Sequence, residues 1–359
     1  MNVPDSRAAH ALPAQCSGIA KGVERLLPYV LFAVLPAVVV VTMFVIAVTT
    51  GPLAWDFRNE LYPQAKELLD GNNPWPDGLW PPLATVVAMP FTVLPSEAAG
   101  VAFALLGLAC MALALWLVDV RDWRVYGVVA LWPSVLGDVR IAHLTPLLCL
   151  LAAMVWRYRD RPLASGLALG VAAGLKFLLW PLGVWLVATG RIRAIIIAAA
   201  LAAATLLAVV PFAPVNEYLH TLRSVGNTFD QDSYSPFGVL TQLGASDVVA
   251  HLVTYAIGGA LLVLTWFRKS FALAIAAALV LSPIVWLDFY ALAAIPLAVA
   301  RPRLSWVWFV PLVTWGLPSS GIGTDPAWGV GRVLVIFSLV LLIAVRGEGA
   351  TPGILRSAD

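Results

Sequence analysis

The chain has 359 residues, 61% of them hydrophobic and only 12% charged, with a formal net charge of +2. An ordinary soluble domain carries roughly a quarter charged residues, so a water-soluble globule is excluded. A mean hydropathy of +0.88 spread over many apolar runs also excludes an enzyme held on one anchor.

Residues 1–27 contain Arg7, Lys21 and Arg25 but no apolar stretch, and read as a cytoplasmic tail rather than a cleaved signal peptide. Residues 28–49 form the first span. Further apolar segments lie at 97–118, 125–137, 143–156, 162–189, 194–212, 247–267, 271–284, 288–300, 304–317 and 328–345. Several fall short of the roughly 20 residues a straight span needs, so tilted or broken helices are expected. Two segments have coupled parities. If 83–95 crosses the membrane, 162–189 must be one helix; if 83–95 is half-inserted, 162–189 must be a two-limbed hairpin.

Basic loop residues stay cytoplasmic, and they favour the hairpin. That reading keeps Arg121, Arg124, Arg157, Arg159, Arg161, Arg191, Arg193, Arg268, Lys269, Arg301, Arg303 and Arg346 inside, and leaves only Arg58, Lys66, Arg140, Lys176, Arg223 and Arg332 for the outer side. The expected architecture is an all-α polytopic membrane protein with about twelve transmembrane helices. Residues 28–345 form a single transmembrane catalytic domain, and 346–359 form a cytoplasmic C-terminal tail. The long polar connections, 50–82 and 213–246, both face out and carry short surface helices. The working surface is therefore expected on the periplasmic or external face of the plasma membrane.

The first outer loop places Asp56 just beyond the end of the first span. Leu61, Ala65, Leu68 and Leu69 recur on one side of a short helix, with Pro63 suited to its first turn and Gly71 to its stop. Such a helix lies on the bilayer. Asp56 can be a solvated acid capping it, or a functional carboxylate. At the lipid boundary, partly shielded from water, a carboxylate gains basicity towards a sugar hydroxyl.

Asp56, Tyr62, Ala65, Leu68-Leu69, Gly71, Pro74-Trp75, Trp80-Pro81-Pro82 and Leu94-Pro95 occur in an order that resembles the first external loop and second membrane segment of glycosyltransferase family 87. The family contains polyprenyl-phosphate-mannose-dependent mannosyltransferases of actinobacterial envelopes with the GT-C membrane fold. The resemblance implies that fold here and puts the catalytic base on Asp56. It also implies a polyprenyl-phosphate sugar donor, a glycolipid or polysaccharide acceptor and transfer of mannose, with departures that leave room for arabinose or another pentose.

Lys176 lies midway between Pro162 and Gly190 in an otherwise apolar run. A cation there costs several kcal/mol unless it meets an anion, a carbonyl cluster or a wet cavity. It can satisfy the hairpin's own carbonyls or hold the phosphate of a lipid carrier. Its surroundings, Gly-Leu-Lys-x-x-x-x-Pro, resemble the lysine segment of the same family and favour the phosphate. Asp138, Arg140 and His143 interrupt two apolar runs nearby. They form either an internal Asp138–Arg140 ion pair or a site in which Arg140 meets the donor phosphate and His143 a sugar hydroxyl. Relatives usually carry Gly-Gln where this chain has Ala142-His143. Ser282-Pro283-Ile284-Val285-Trp286 resembles a family segment that histidine tends to follow; here Asp288 and Tyr290 occupy that neighbourhood. Asp288 is a second acid of the site, a partner to a cation such as Arg332, or a loop residue. Tyr62 and Tyr290 are candidate sugar or acceptor contacts, and Arg332 a weaker phosphate ligand.

The four histidines lack the paired spacing of a zinc site, and Asp230-Gln231-Asp232 is a common loop pattern, so no metal or cofactor is expected. Gly321-Ile322-Gly323 lacks the context of a nucleotide fingerprint, and there is no basic tail for nucleic acid. A lipid-borne donor remains. The competing reading from another class is a lipid or solute transporter or flippase, for which intramembrane charge is also expected.

Overall fold

The computed structural model describes residues 24–51, 53–75, 78–208, 220–221, 223–224, 233–316 and 325–348. Every regular element among them is helical, as the composition requires. Four helices are long and apolar enough to cross a membrane: α1 (Glu24–Thr50), α4 (Ser96–Leu117), α12 (Asp247–Arg268) and α15 (Ala327–Glu348). The remaining apolar helices are shorter: α3 (Pro82–Ala88), α5 (Trp123–Ala130), α6 (Pro133–Ile141), α7 (Thr145–Arg157), α8 (Pro162–Leu175), α9 (Pro181–Ala188), α10 (Ile192–Leu207), α13 (Phe271–Leu281) and α14 (Ala294–Ala300). Proline stands at the first or second position of α3, α6, α7, α8 and α9, where its missing N–H costs no helical bond. These starts divide the apolar runs into short rods.

The bundle has two chemically distinct ends. At the basic end, Asp119 pairs with Arg121 at 3.2 Å and Arg157 at 3.0 Å, and Asp160 with Arg191 at 2.7 Å. Asp122 holds Arg124 at 2.9 Å and accepts the Leu304 amide at 3.0 Å. Trp185 donates its indole N–H to the Lys269 carbonyl at 3.0 Å, and Ser270 its hydroxyl to Glu348 at 2.6 Å. These contacts gather the connections near 119–124, 157–161, 191, 269–270 and 301–304 on one face, the same connections that basic residues mark in the sequence.

The grouping traces the path of the two ambiguous segments. Residues 160 and 191 meet, so the chain between them leaves the basic end and returns to it, with Lys176 at the far turn. Gly166 lies against Ala194 and Ile197, Gly170 against Ala198 and Leu201, and Gly174 against Thr205, so α8 and α10 run parallel at close approach. α9 runs back between their ends and packs on α12 and α13 instead of on α8. The hairpin is open. The other ambiguous segment, α3 and the 3₁₀ turn Met89–Val93, begins beside Trp80 and ends at Leu94, whose carbonyl accepts the Tyr62 hydroxyl at 2.9 Å. Both of its ends lie at the site end.

Candidate active site

The segment after α1 turns at Gly51 and forms a wide turn, Phe57–Leu61, leading into α2 (Tyr62–Leu69). A short helix is therefore present where the apolar stripe predicts one. It is clamped by Gln64, a buried side chain whose amide donates to the Trp80 carbonyl and to Thr85, each at 2.8 Å, and accepts the Trp80 amide at 3.2 Å. Gly100 makes room for the segment: a Cβ there would stand 2.7 Å from the Ala54 methyl and 3.2 Å from Arg58.

Two alanines hold left-handed backbone, Ala54 at φ 55° and Ala142 at φ 53°. This conformation costs an alanine roughly 1 kcal/mol or more and persists only where surrounding contacts enforce it. Both are bonded to the last turn of α6: Ala54 N–H donates to the Arg140 carbonyl at 2.6 Å, and Ala142 N–H to the Asp138 carbonyl at 2.7 Å. One alanine leads to Asp56 two residues on, and the other turns His143 into the interior at the start of α7.

His143 is 4% exposed and Asp288 4%. The His143 Nδ1 lies 2.9 Å from Thr145 Oγ1 and 3.1 Å from Asp288 Oδ2, and Thr145 donates its hydroxyl to the same carboxylate oxygen at 3.0 Å. Asp288 thus sits at the N-terminus of α7, where the helix dipole favours an anion. The Lys176 Nζ lies 3.4 Å from His143 Nε2, 3.9 Å from the centre of the Phe289 ring and 5.6 Å from that of Trp80. Lys176 itself has extended backbone (φ −163°) between α8 and the 3₁₀ turn Phe177–Leu179, which takes it out of the helical repeat. An ammonium in this interior is therefore held by an imidazole lone pair and two ring faces. With the Nε2 lone pair turned to Lys176, the ring hydrogen belongs on Nδ1, facing Thr145 and Asp288.

Asp56 is half-buried beside this cluster. Burial raises its pKa above the ordinary carboxylate value; the fields of His143 and Lys176 partly offset the rise, and that of Asp288 adds to it. The carboxyl of Glu60, one turn on, is raised by its own burial and then by the charge of Asp56. Asp138 is 1% exposed, and neither of its carboxyl oxygens has a hydrogen-bond partner. No Asp138–Arg140 ion pair forms, and Arg140 pairs with no acid among the described residues. Asp138, His143 and Asp288 nevertheless converge, with one ligand-type atom of each within 4.8 Å of the others. Asp138 and His143 stand five positions apart across a helix corner, and Asp288 is remote in sequence, so paired spacing could not reveal the set.

The remaining predicted residues have their polar groups engaged elsewhere or lie apart from the cluster. Tyr62 spends its hydroxyl on Leu94, and Tyr290, buried, donates its own to the Tyr234 carbonyl at 2.6 Å. One guanidinium nitrogen of Arg332 donates to the carbonyls of Val313 and Trp315 at the end of the 3₁₀ helix Trp306–Thr314, while its buried Nε has no partner. Asp230 and Asp232 of the second long loop fall outside the described residues. Trp80, Thr145 and Phe289, which wall the lysine or fix Asp288, carry no charge pattern that singles them out in the sequence.

A profile of glycosyltransferase family 87 matches residues 79–287, more than half the chain. The chain belongs to glycosyltransferase family 87. The matched span includes Trp80, Asp138, His143 and Lys176, begins after Asp56 and stops one residue before Asp288. No curated protein and no solved structure matches the chain. The family makes this a membrane glycosyltransferase, consistent with its apolar helices.

Proposed function

We propose that this member of glycosyltransferase family 87 moves mannose from a polyprenyl-phosphate donor to a glycolipid or polysaccharide acceptor, with inversion at the anomeric carbon. The proposed setting is the outer face of the plasma membrane, in a GT-C arrangement of twelve crossings. The observation that carries the reading is the meeting, at one end of the bundle, of a half-buried carboxyl, Asp56, with an interior ammonium, Lys176.

Asp56 takes the proton of the acceptor hydroxyl as its oxygen attacks C1 of the sugar. The bond from C1 to the phosphate oxygen breaks on the opposite face, and the phosphate leaves with both electrons. Lys176 offsets the added charge, and Arg140, at the same corner, is a second candidate for it. Phosphate is a weak base and departs without a general acid.

Purified protein, polyprenyl-phosphate-linked mannose and lipid acceptors, with product mass as readout, test the assignment. Asp56→Asn is expected to lower transfer by about 10²- to 10⁴-fold without loss of folded protein. The wild-type rate is expected to fall on acidification at a pH above the ordinary carboxylate range, because the base works only when deprotonated and its pKa is raised. Retained transfer in Asp56→Asn would remove Asp56 from the role.

A further inference from the structure

We propose that Asp138, His143 and Asp288 bind a divalent transition-metal ion such as Mn²⁺ or Zn²⁺ beneath the sugar-transfer site. This deepens the glycosyltransferase reading, but the site itself is argued from the cluster alone. Two carboxylates and one imidazole suit these ions better than the all-oxygen shell preferred by Mg²⁺ or Ca²⁺. One ligand-type atom from each residue lies within 4.8 Å of the others, so modest side-chain rotation brings all three onto one ion.

The independent sign of a missing partner is Asp138. Its carboxyl is 1% exposed and both oxygens are unbonded, whereas Thr145, His143 and Asp288 already satisfy one another. Buried polar atoms in a folded interior are normally paired, and a carboxylate with neither oxygen paired calls for a cation or a proton. Asp56, Asp138 and Asp288 act on one another beside one lysine, so ionising all three would leave surplus negative charge where an anionic phosphate is to be received. A doubly charged ion removes that surplus.

His143 links the ion to Lys176. With Nδ1 ligating the ion, the ring hydrogen sits on Nε2, and the ring no longer accepts from the Lys176 ammonium. The lysine is then free to turn to the donor phosphate.

The full-length protein in lipid nanodiscs, stripped with chelator, would be dialysed against MnCl₂ and ZnCl₂ separately. Metal per chain and thermal unfolding would then be measured. About one ion per chain is expected, with a rise in unfolding temperature. Asp138→Asn and Asp288→Asn should each weaken binding by at least tenfold, while Asp56→Asn should bind as the wild type does. Fewer than one ion per two wild-type chains with either metal, or undiminished binding in both carboxylate variants, overturns the site. Should a variant fail to fold, the wild-type stoichiometry decides. Turnover separates the two readings: Asp56-dependent transfer by protein that takes up neither metal would end the ion proposal and leave the transferase standing. Stoichiometric binding with transfer retained in Asp56→Asn would do the reverse.

Discussion

The two ends of this bundle handle charge in opposite ways. At the basic end, every acid named meets one or two bases in partly exposed pairs: Asp119 with Arg121 and Arg157, Asp122 with Arg124, Asp160 with Arg159 and Arg191. At the other end, three acids and one lysine crowd together, and the lysine's nearest neighbours are an imidazole and two rings instead of a carboxylate. Paired, wet charges serve cohesion. Charges withheld from one another in a dry pocket have unspent capacity, and the chemistry is expected there.

The comparison would be broken most severely at Lys176. Lys176→Met keeps the apolar stem and removes the charge, and should lower sugar transfer by about 10²- to 10³-fold with little change in unfolding temperature. A large loss of stability with transfer retained would make the lysine structural. At the opposite end the expectation inverts. Asp122 has its pKa lowered to about 2, first by the Arg124 hydrogen bond and then by the Leu304 and Arg124 amides. It also accepts the Arg124 N–H as the N-cap of α5. Its stabilising contribution is complete above the ordinary carboxylate value and is lost as pH falls towards about 2. Asp122→Ala should cost about 1–2 kcal/mol, read as a lower unfolding temperature at neutral pH, with transfer per folded molecule unchanged. The smallest effect is expected at Asp160, three-quarters exposed. Asp160→Ala should shift stability by less than about 1 kcal/mol, and less still in high salt. A larger shift would mean that this end, too, holds charge out of reach of water.

The sequence exposes those parts of the site that are anomalous by themselves. Asp56 directly after a span and Lys176 inside an apolar run are charges where the membrane penalises charge, and the basic connections mark one face. It hides what depends on folding. Thr145 and Asp288 are 143 positions apart and become partners only because a 3₁₀ turn lays Asp288 on the N-terminus of α7. Arg140 and Asp138, two apart on a helix, invite pairing, yet residues at that spacing point to different faces. Tyr62 and Tyr290 look available as a string of letters, but the backbone carbonyls of Leu94 and Tyr234 take their hydroxyls. The open hairpin follows the same division: the bases at its feet are legible, whereas the separate packing of its limbs depends on Gly166, Gly170 and Gly174 meeting α10.

The corner where Ala54 and Ala142 both lean on the last turn of α6 has an evolutionary consequence. The proposed base and the imidazole that contacts the lysine are mounted on one bracket, so any shift of that turn displaces both at once. Retuning for a different sugar or acceptor would then have to come from parts bolted on elsewhere, while the bracket keeps its gauge.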